Sequence, residues 1–211
     1  MKAENTKLPS YGGQALIEGI LMRGAYGLAA SMRAPDGRIV TQTEELSGIY
    51  KSKIKNIPFL RGLISLWDSL GIGMRYLTIS ANTQTNEDEK LEGPALYGTL
   101  ALSLAIAVGL FFVSPALISQ WVENLLGWNA WVSNLLEGII RLVFIVGYIW
   151  AVGRLPDIQR VFTYHGAEHK TINAFEHQVP LTPLEVSKQS MEHPRCGTSF
   201  LLTLAVISII L

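Results

Sequence analysis

Leu96 to Val122 is an almost unbroken apolar run, with Ser and Thr as its only early polar interruptions. It is longer than the roughly 20 residues with which a helix spans the hydrocarbon core of a bilayer. In that medium every backbone amide and carbonyl needs a partner inside the segment, which a helix provides and a lone strand does not. The run therefore predicts a transmembrane helix. Pro115 lies near its far end and is expected to kink it, a bend that neighbouring helices tolerate.

Leu135 to Gly153 predicts a second such helix, although it holds Glu137 and Arg141 at i, i+4 spacing. Arg141 either snorkels to the near surface or is a buried partner for another group in the bundle. Thr198 to Leu211 is a third apolar run. As a helix its fourteen residues reach only about 21 Å, short of a hydrocarbon core of about 30 Å. The expectation is a longer protein with more membrane helix to follow.

The segment between the first two runs, Glu123 to Trp131, has no Lys or Arg, and Trp121, Trp128 and Trp131 suit an interfacial aromatic belt. By contrast, residues 1–95 hold 11 Lys or Arg and residues 154–196 hold five. Positive charge favours the cytosolic side, so both basic flanks are expected there and the Trp-bearing loop outside. Met1 to Ser10 is polar and lacks the apolar core of a signal peptide, which also keeps the N-terminus in the cytosol. Lys+Arg and Asp+Glu are 17 each, and the zero net charge gives nucleic-acid binding no support. Cys196 is the single cysteine, so no intrachain disulfide forms; a reducing compartment or a metal-ligand role fits better.

The N-terminal part has a different grammar. Gly12 to Gly24 reads as a strand bounded by glycines. Gly27 to Ala34 and Arg38 to Leu46 read as strands joined at Pro35-Asp36-Gly37, where proline presets one dihedral and glycine accepts a positive one. A small antiparallel sheet follows. Gly12-Gly13 has no Gly-Lys-Ser/Thr continuation, so close backbone packing explains it better than phosphate binding. Ser47 to Ser80 is expected to be helical with a break near Pro58; its apolar positions and a charged stripe of Arg61, Asp68 and Arg75 suit a membrane interface or the underside of a bundle. Asn82 to Glu92 reads as a polar linker into the first membrane helix. The predicted fold is α+β. Residues 1–95 form a cytosolic β-containing region with an amphipathic helix. Residues 96–211 form a polytopic α-helical membrane bundle, two full transmembrane helices and the start of a third, with a cytosolic segment 154–197.

That cytosolic segment carries the chemistry. Tyr164-His165-Gly166-Ala167-Glu168-His169-Lys170 contains His-x-x-Glu-His, the reverse of the His-Glu-x-x-His zinc motif. After a helix exit at Arg154 to Asp157, helix is expected to restart by Phe162 and run toward Phe175 or Gln178, where Pro180 and Pro183 stop it. Taking His165 as 0°, helical spacing puts Glu168 near 300°, His169 near about 40° and Glu176 near about 20°, all on one face. Two imidazoles one turn apart can share a metal, with Glu176 as a further ligand and Glu168 as the general base beside it. His193-Pro194-Arg195-Cys196 adds an imidazole and a thiolate three residues apart. The candidate metal ligands are thus His165, His169, Glu176, His193 and Cys196, and the candidate catalytic residue is Glu168. The cofactor is a divalent metal, with zinc suited to the thiolate and imidazoles. The competing reading is structural: polar motifs that hydrogen-bond to backbone and lock a cytosolic cap to the helix ends.

Three motifs in order, Gly12-Gly13-Gln14-Ala15-Leu16-Ile17-Glu18-Gly19-Ile20-Leu21-Met22-Arg23-Gly24, Tyr164 to Ile172, and His193-Pro194-Arg195-Cys196-Gly197-Thr198-Ser199-Phe200, make the chain resemble the DUF1385 family over essentially its whole length. The resemblance implies a bacterial multi-pass membrane protein of the kind described as a predicted metal-dependent enzyme, and members longer than this chain. It carries over His165, Glu168, His169, His193 and Cys196 as motif positions and no reaction. The expected function is metal-assisted hydrolysis of a membrane-associated substrate. The alternative is a non-enzymatic scaffold or accessory factor of a larger membrane assembly, such as protein-insertion machinery. The expected partners are the lipid bilayer and such an assembly or a homo-oligomer.

Overall fold

The computed structural model describes residue 9 and residues 11–46, 57–85, 90 and 93–210. The polar N-terminal segment (apart from Pro9), the first part of the Ser47–Ser80 helix and most of the acidic linker lie outside the described residues. The chain divides into two units. One combines residues 1–90 with 157–193; the other combines 91–156 with 194–211.

In the first unit β1 (Gly12–Leu16), β2 (Gly19–Arg23), β3 (Gly27–Arg33) and β4 (Ile39–Glu45) form one antiparallel sheet in sequence order. Leu28, Ala30 and Met32 alternate along β3 and all face inward, the period-2 signature of a sheet with one dry face. They pack with Leu16, Leu21 and Leu46 against Tyr76, Ile72 and Ile79 of helix α1 (Pro58–Thr83). The β3–β4 turn forms as the sequence predicts: Gly37 has φ +85°, its amide donates to Ala34 O at 2.8 Å, and Asp36 Oδ1 accepts from the Arg38 amide at 3.0 Å.

The Gly12–Gly24 segment differs from the single strand read from sequence. It is a hairpin that turns at Ile17-Glu18, pairing Leu16 with Gly19. Glu18 adopts φ +52°, which is unusual for a residue with a Cβ. Its carboxylate accepts a two-pronged ion pair from Arg160 and a 3.1 Å hydrogen bond from the Tyr164 hydroxyl, while its carbonyl accepts from the Arg33 amide at 2.8 Å. Tertiary contacts therefore hold a conformation that local preference disfavours. Arg160 and Tyr164 lie on helix α5 (Pro156–Glu176), which begins already within the expected helix exit at Arg154 to Asp157, because Pro156 suits a first helical turn. Helix α5 ends in a left-handed Gln178 (φ +56°), with the Val179 amide donating to Ala174 O and the Gln178 amide to Phe175 O. A short helix α6 (Pro183–Ser187) follows, and then an irregular segment of turns and bends over residues 188–196.

In the second unit, α2 (Gly93–Val108), a wide π-turn (Gly109–Val113) and α3 (Ser114–Leu126) make one continuous helical stretch, followed by α4 (Ala130–Val152) and α7 (Gly197–Ile210). The stretches 93–126 and 130–152 are each long and apolar enough to cross a membrane. Gly127 (φ +66°) closes α3 and Asn129 caps α4 through the Val132 amide at 3.1 Å, giving a tight helical hairpin. Buried Ser119 and Ser133 hydrogen-bond across it at 2.9 Å.

Pro115 has no amide to give to the carbonyl one turn earlier, that of Phe111. Arg141 supplies the missing donor: its Nε reaches Phe111 O at 3.2 Å, and its guanidinium pairs with Glu137 at 2.5 Å. The Ser114 hydroxyl likewise donates to Leu110 O at 2.7 Å. The charged residue inside the second apolar run thus has a backbone partner on its neighbour.

Candidate metal centre

Helix α5 presents His165, Glu168 and His169 toward the first unit's interior, with Glu168 and His169 buried. The His165 and His169 rings lie 4.3 Å apart, centroid to centroid, and His169 and His193 lie 5.9 Å apart. The i, i+4 spacing therefore brings the two imidazoles together as the sequence suggests.

Each ring is oriented by a second group. His169 Nδ1 is 2.6 Å from the Met191 carbonyl oxygen. A carbonyl only accepts, so the proton sits on Nδ1 and Nε2 carries the lone pair that can bind a metal. His165 Nδ1 is 3.0 Å from Glu168 Oε2, again assigning the proton to Nδ1 and the ligand role to Nε2. His193 Nε2 is 3.3 Å from Glu176 Oε2, which leaves Nδ1 as that ring's ligand nitrogen when the ring is neutral. Carboxylates and carbonyls that hold the far nitrogen of a histidine are the usual outer support of metal-binding imidazoles.

The segment that brings His193 here is held by residues sequence reasoning passed over. Asn173, one turn beyond His169, donates from Nδ2 to Ser190 O at 2.9 Å and Glu192 O at 3.0 Å. With His169 on Met191 O, three successive carbonyls are gripped by one helix face. An asparagine at i+4 from a motif histidine was the available signal. The strand side contributes as well. A Cβ on Gly13 would lie 2.5 Å from Glu168 Cγ and 2.7 Å from its Oε1, so β1 can back this carboxylate only because residue 13 is glycine. Gly12 has nothing within 4 Å of such an atom, so of this pair the packing reason applies only to Gly13; the later Gly19 and Gly24 are also closely packed, against Ser31 O and the Tyr11 ring.

Glu176 therefore sits with His193 rather than with His165. His177 turns away, its Nδ1 3.1 Å from Gln189 Oε1. Cys196 opens the other unit, partly buried, with its sulfur 2.8 Å from the Thr198 hydroxyl. Outside the cluster, the Arg160 hydrogen bonds hold the Glu18 carboxyl below its ordinary value, more than burial raises it, and the pairing pushes Arg160 up.

The architecture is thus a four-stranded antiparallel sheet with a histidine–carboxylate cluster on α5, in a chain whose remainder is mostly helical and includes two membrane-length apolar stretches. The family described as "Protein of unknown function (DUF1385)" matches residues 57–211, and the chain belongs to it. It is 32% identical over 216 residues to "Uncharacterized protein YqhQ" of Bacillus subtilis (strain 168), an alignment covering 94% of this chain and 67% of that protein. No solved structure matches.

Proposed function

We propose that the chain is a multi-pass membrane protein that holds a divalent metal at the α5 cluster, on the cytosolic side, and uses it to hydrolyse a membrane-associated substrate. The observation that carries this reading is the paired orientation of His165 and His169. Two adjacent imidazoles, each with Nδ1 committed to an acceptor, offer two Nε2 lone pairs to one ion. Cys196 is the proposed third ligand: it follows His193 by three residues, a reach of at most about 10 Å of chain, and its thiolate with two imidazoles is a donor set suited to zinc. His193, steadied by Glu176, is the proposed fourth. A set of three would leave one position for substrate, and a set of four would be structural.

When bound, a divalent cation would supply Lewis acidity toward a carbonyl or phosphoryl oxygen. The chain's own residues do the rest. Glu168 fixes the His165 ring and is the carboxylate placed to take up a proton. His169 and Asn173 hold the 190–192 backbone so that His193 stays beside them. The apolar stretches 93–126 and 130–152 anchor the chain in the bilayer. The excess of Lys and Arg in residues 1–95 and 154–196 supports a cytosolic site.

Metal analysis of the full chain, purified without chelators, tests the reading. The expected result is a stoichiometric transition metal, zinc first, lost in His165→Ala and His169→Ala while the fold persists. Metal-free protein whose variants simply unfold would overturn it. That outcome would favour the second reading, a non-enzymatic factor docking in a larger membrane assembly or in a homo-oligomer. The specific observation behind this alternative is the clasp of His169 and Asn173 on three carbonyls, which locks the segment with no ion needed.

A further inference from the structure

Helix α1 has two apolar faces, and among the described residues only one of them is covered within its unit. Its second half presents Ile72, Tyr76 and Ile79 to the sheet. Leu63, Leu66, Trp67 and Leu70, spaced i, i+3, i+4, i+7, form a stripe on roughly the opposite side at 100° per residue. All four are exposed, Trp67 to 80% and Leu66 to 67%. A soluble helix normally turns charge outward once its inner face is packed, so a contiguous outer stripe of this kind marks an interaction surface.

Charge indicates what covers it. From Leu46 to Trp67 the sequence contains Lys51, Lys53, Lys55 and Arg61 and no Asp or Glu. Basic residues beside a Leu/Trp stripe are the composition of a helix lying in the plane of an anionic bilayer surface, with aliphatic side chains in the acyl boundary and Trp at headgroup depth. Only residues 84–92 separate α1 from α2, so the helix is tethered to a membrane-length stretch.

We propose that the first half of α1 is an interfacial helix that docks on anionic lipid headgroups through Leu63, Leu66, Trp67 and Leu70. This rests on the reading of 93–126 as membrane-spanning. The docked helix fixes the plane of the sheet unit at the bilayer surface, which suits a site acting on a membrane-associated substrate.

The test is spin-label accessibility on the full chain in nanodiscs of phosphatidylcholine with phosphatidylglycerol. Single cysteines are placed at 66, 67 and 70, at the exposed position 41 of strand β4, and at 104 in α2, all in a Cys196→Ser background. The expected result is that 66, 67 and 70 react with oxygen and are shielded from a water-soluble nickel chelate, while 41 shows the reverse. Lys51→Gln/Lys53→Gln/Lys55→Gln, or nanodiscs of phosphatidylcholine alone, should reduce the contrast. Labels at 66, 67 and 70 open to the chelate overturn the inference, as do labels shielded from both reagents, which indicate a second copy or a protein partner. In both cases an oxygen-accessible label at 104 leaves the spanning reading intact. Chelate access at 104 removes that reading and this inference with it.

Discussion

Glu168 Cγ lies 2.5 Å from where a Cβ on Gly13 would be, so the carboxylate that orients His165 rests directly on the backbone of β1. Gly13→Ala has no room without moving either the strand or the Glu168 side chain. It should destabilise the protein by about 1–3 kcal/mol, the usual effect of overpacking. On the metal reading it should also weaken metal binding about 10–100-fold, as losing an outer-shell partner does. Thermal unfolding and metal titration measure the two effects. In a Glu168→Ala background the same substitution should be much milder, because the clash partner is gone.

Asn173→Ala leaves two carbonyls, Ser190 O and Glu192 O, without their amide donor. A loss of about 1–3 kcal/mol is expected if those carbonyls are not rehydrated. Because the same segment delivers His193, hydrogen exchange across residues 189–193 should rise before that of the sheet core. Uniform exchange across both regions would show that the clasp is not a local hinge.

The Glu18 carboxyl is held below its ordinary value of 4.5, chiefly by its hydrogen bonds from Arg160. A depressed folded value means that the pair's stabilisation is fully present above the unfolded carboxyl's pKa. It is lost as pH falls from there through the folded value. Glu18→Gln should therefore flatten the acid limb of a stability–pH profile and leave its neutral-to-alkaline limb unchanged in shape. Arg160→Leu should do the same; a steeper acid limb in either variant would contradict the assignment.

Arg141 and Pro115 should be energetically coupled through the Phe111 carbonyl. Arg141→Leu removes a side-chain donor to a carbonyl that Pro115 cannot serve, and it also leaves Glu137 without its ion-pair partner. In a Pro115→Ala background residue 115 regains an amide, and the further cost of Arg141→Leu should fall by about 1 kcal/mol. Reversible unfolding in detergent or bicelles gives the double-mutant cycle. Strict additivity would mean that the guanidinium serves Glu137 alone.

Sequence alone determined the periodic and covalent features. The apolar stretches, the Pro35-Asp36-Gly37 turn, the alternation along β3 and the helical pairing of His165 with His169 all follow from spacing and local dihedral preference, and each is present. The long-range partners were not legible. Glu18 takes a left-handed conformation because Arg160 and Tyr164, more than 140 positions away, hold its carboxylate. Glu176 lies on the same helix face as His165 by spacing, yet it pairs with His193, because the 190–192 segment is drawn along α5 by hydrogen bonds that no periodicity encodes. Gly13 read only as close packing; that the packed atom is the carboxyl of Glu168 depends on how β1 meets α5. Local pattern fixes which face a residue occupies, whereas the group that meets it there is chosen by tertiary packing, where burial and hydrogen-bond satisfaction across distant segments decide.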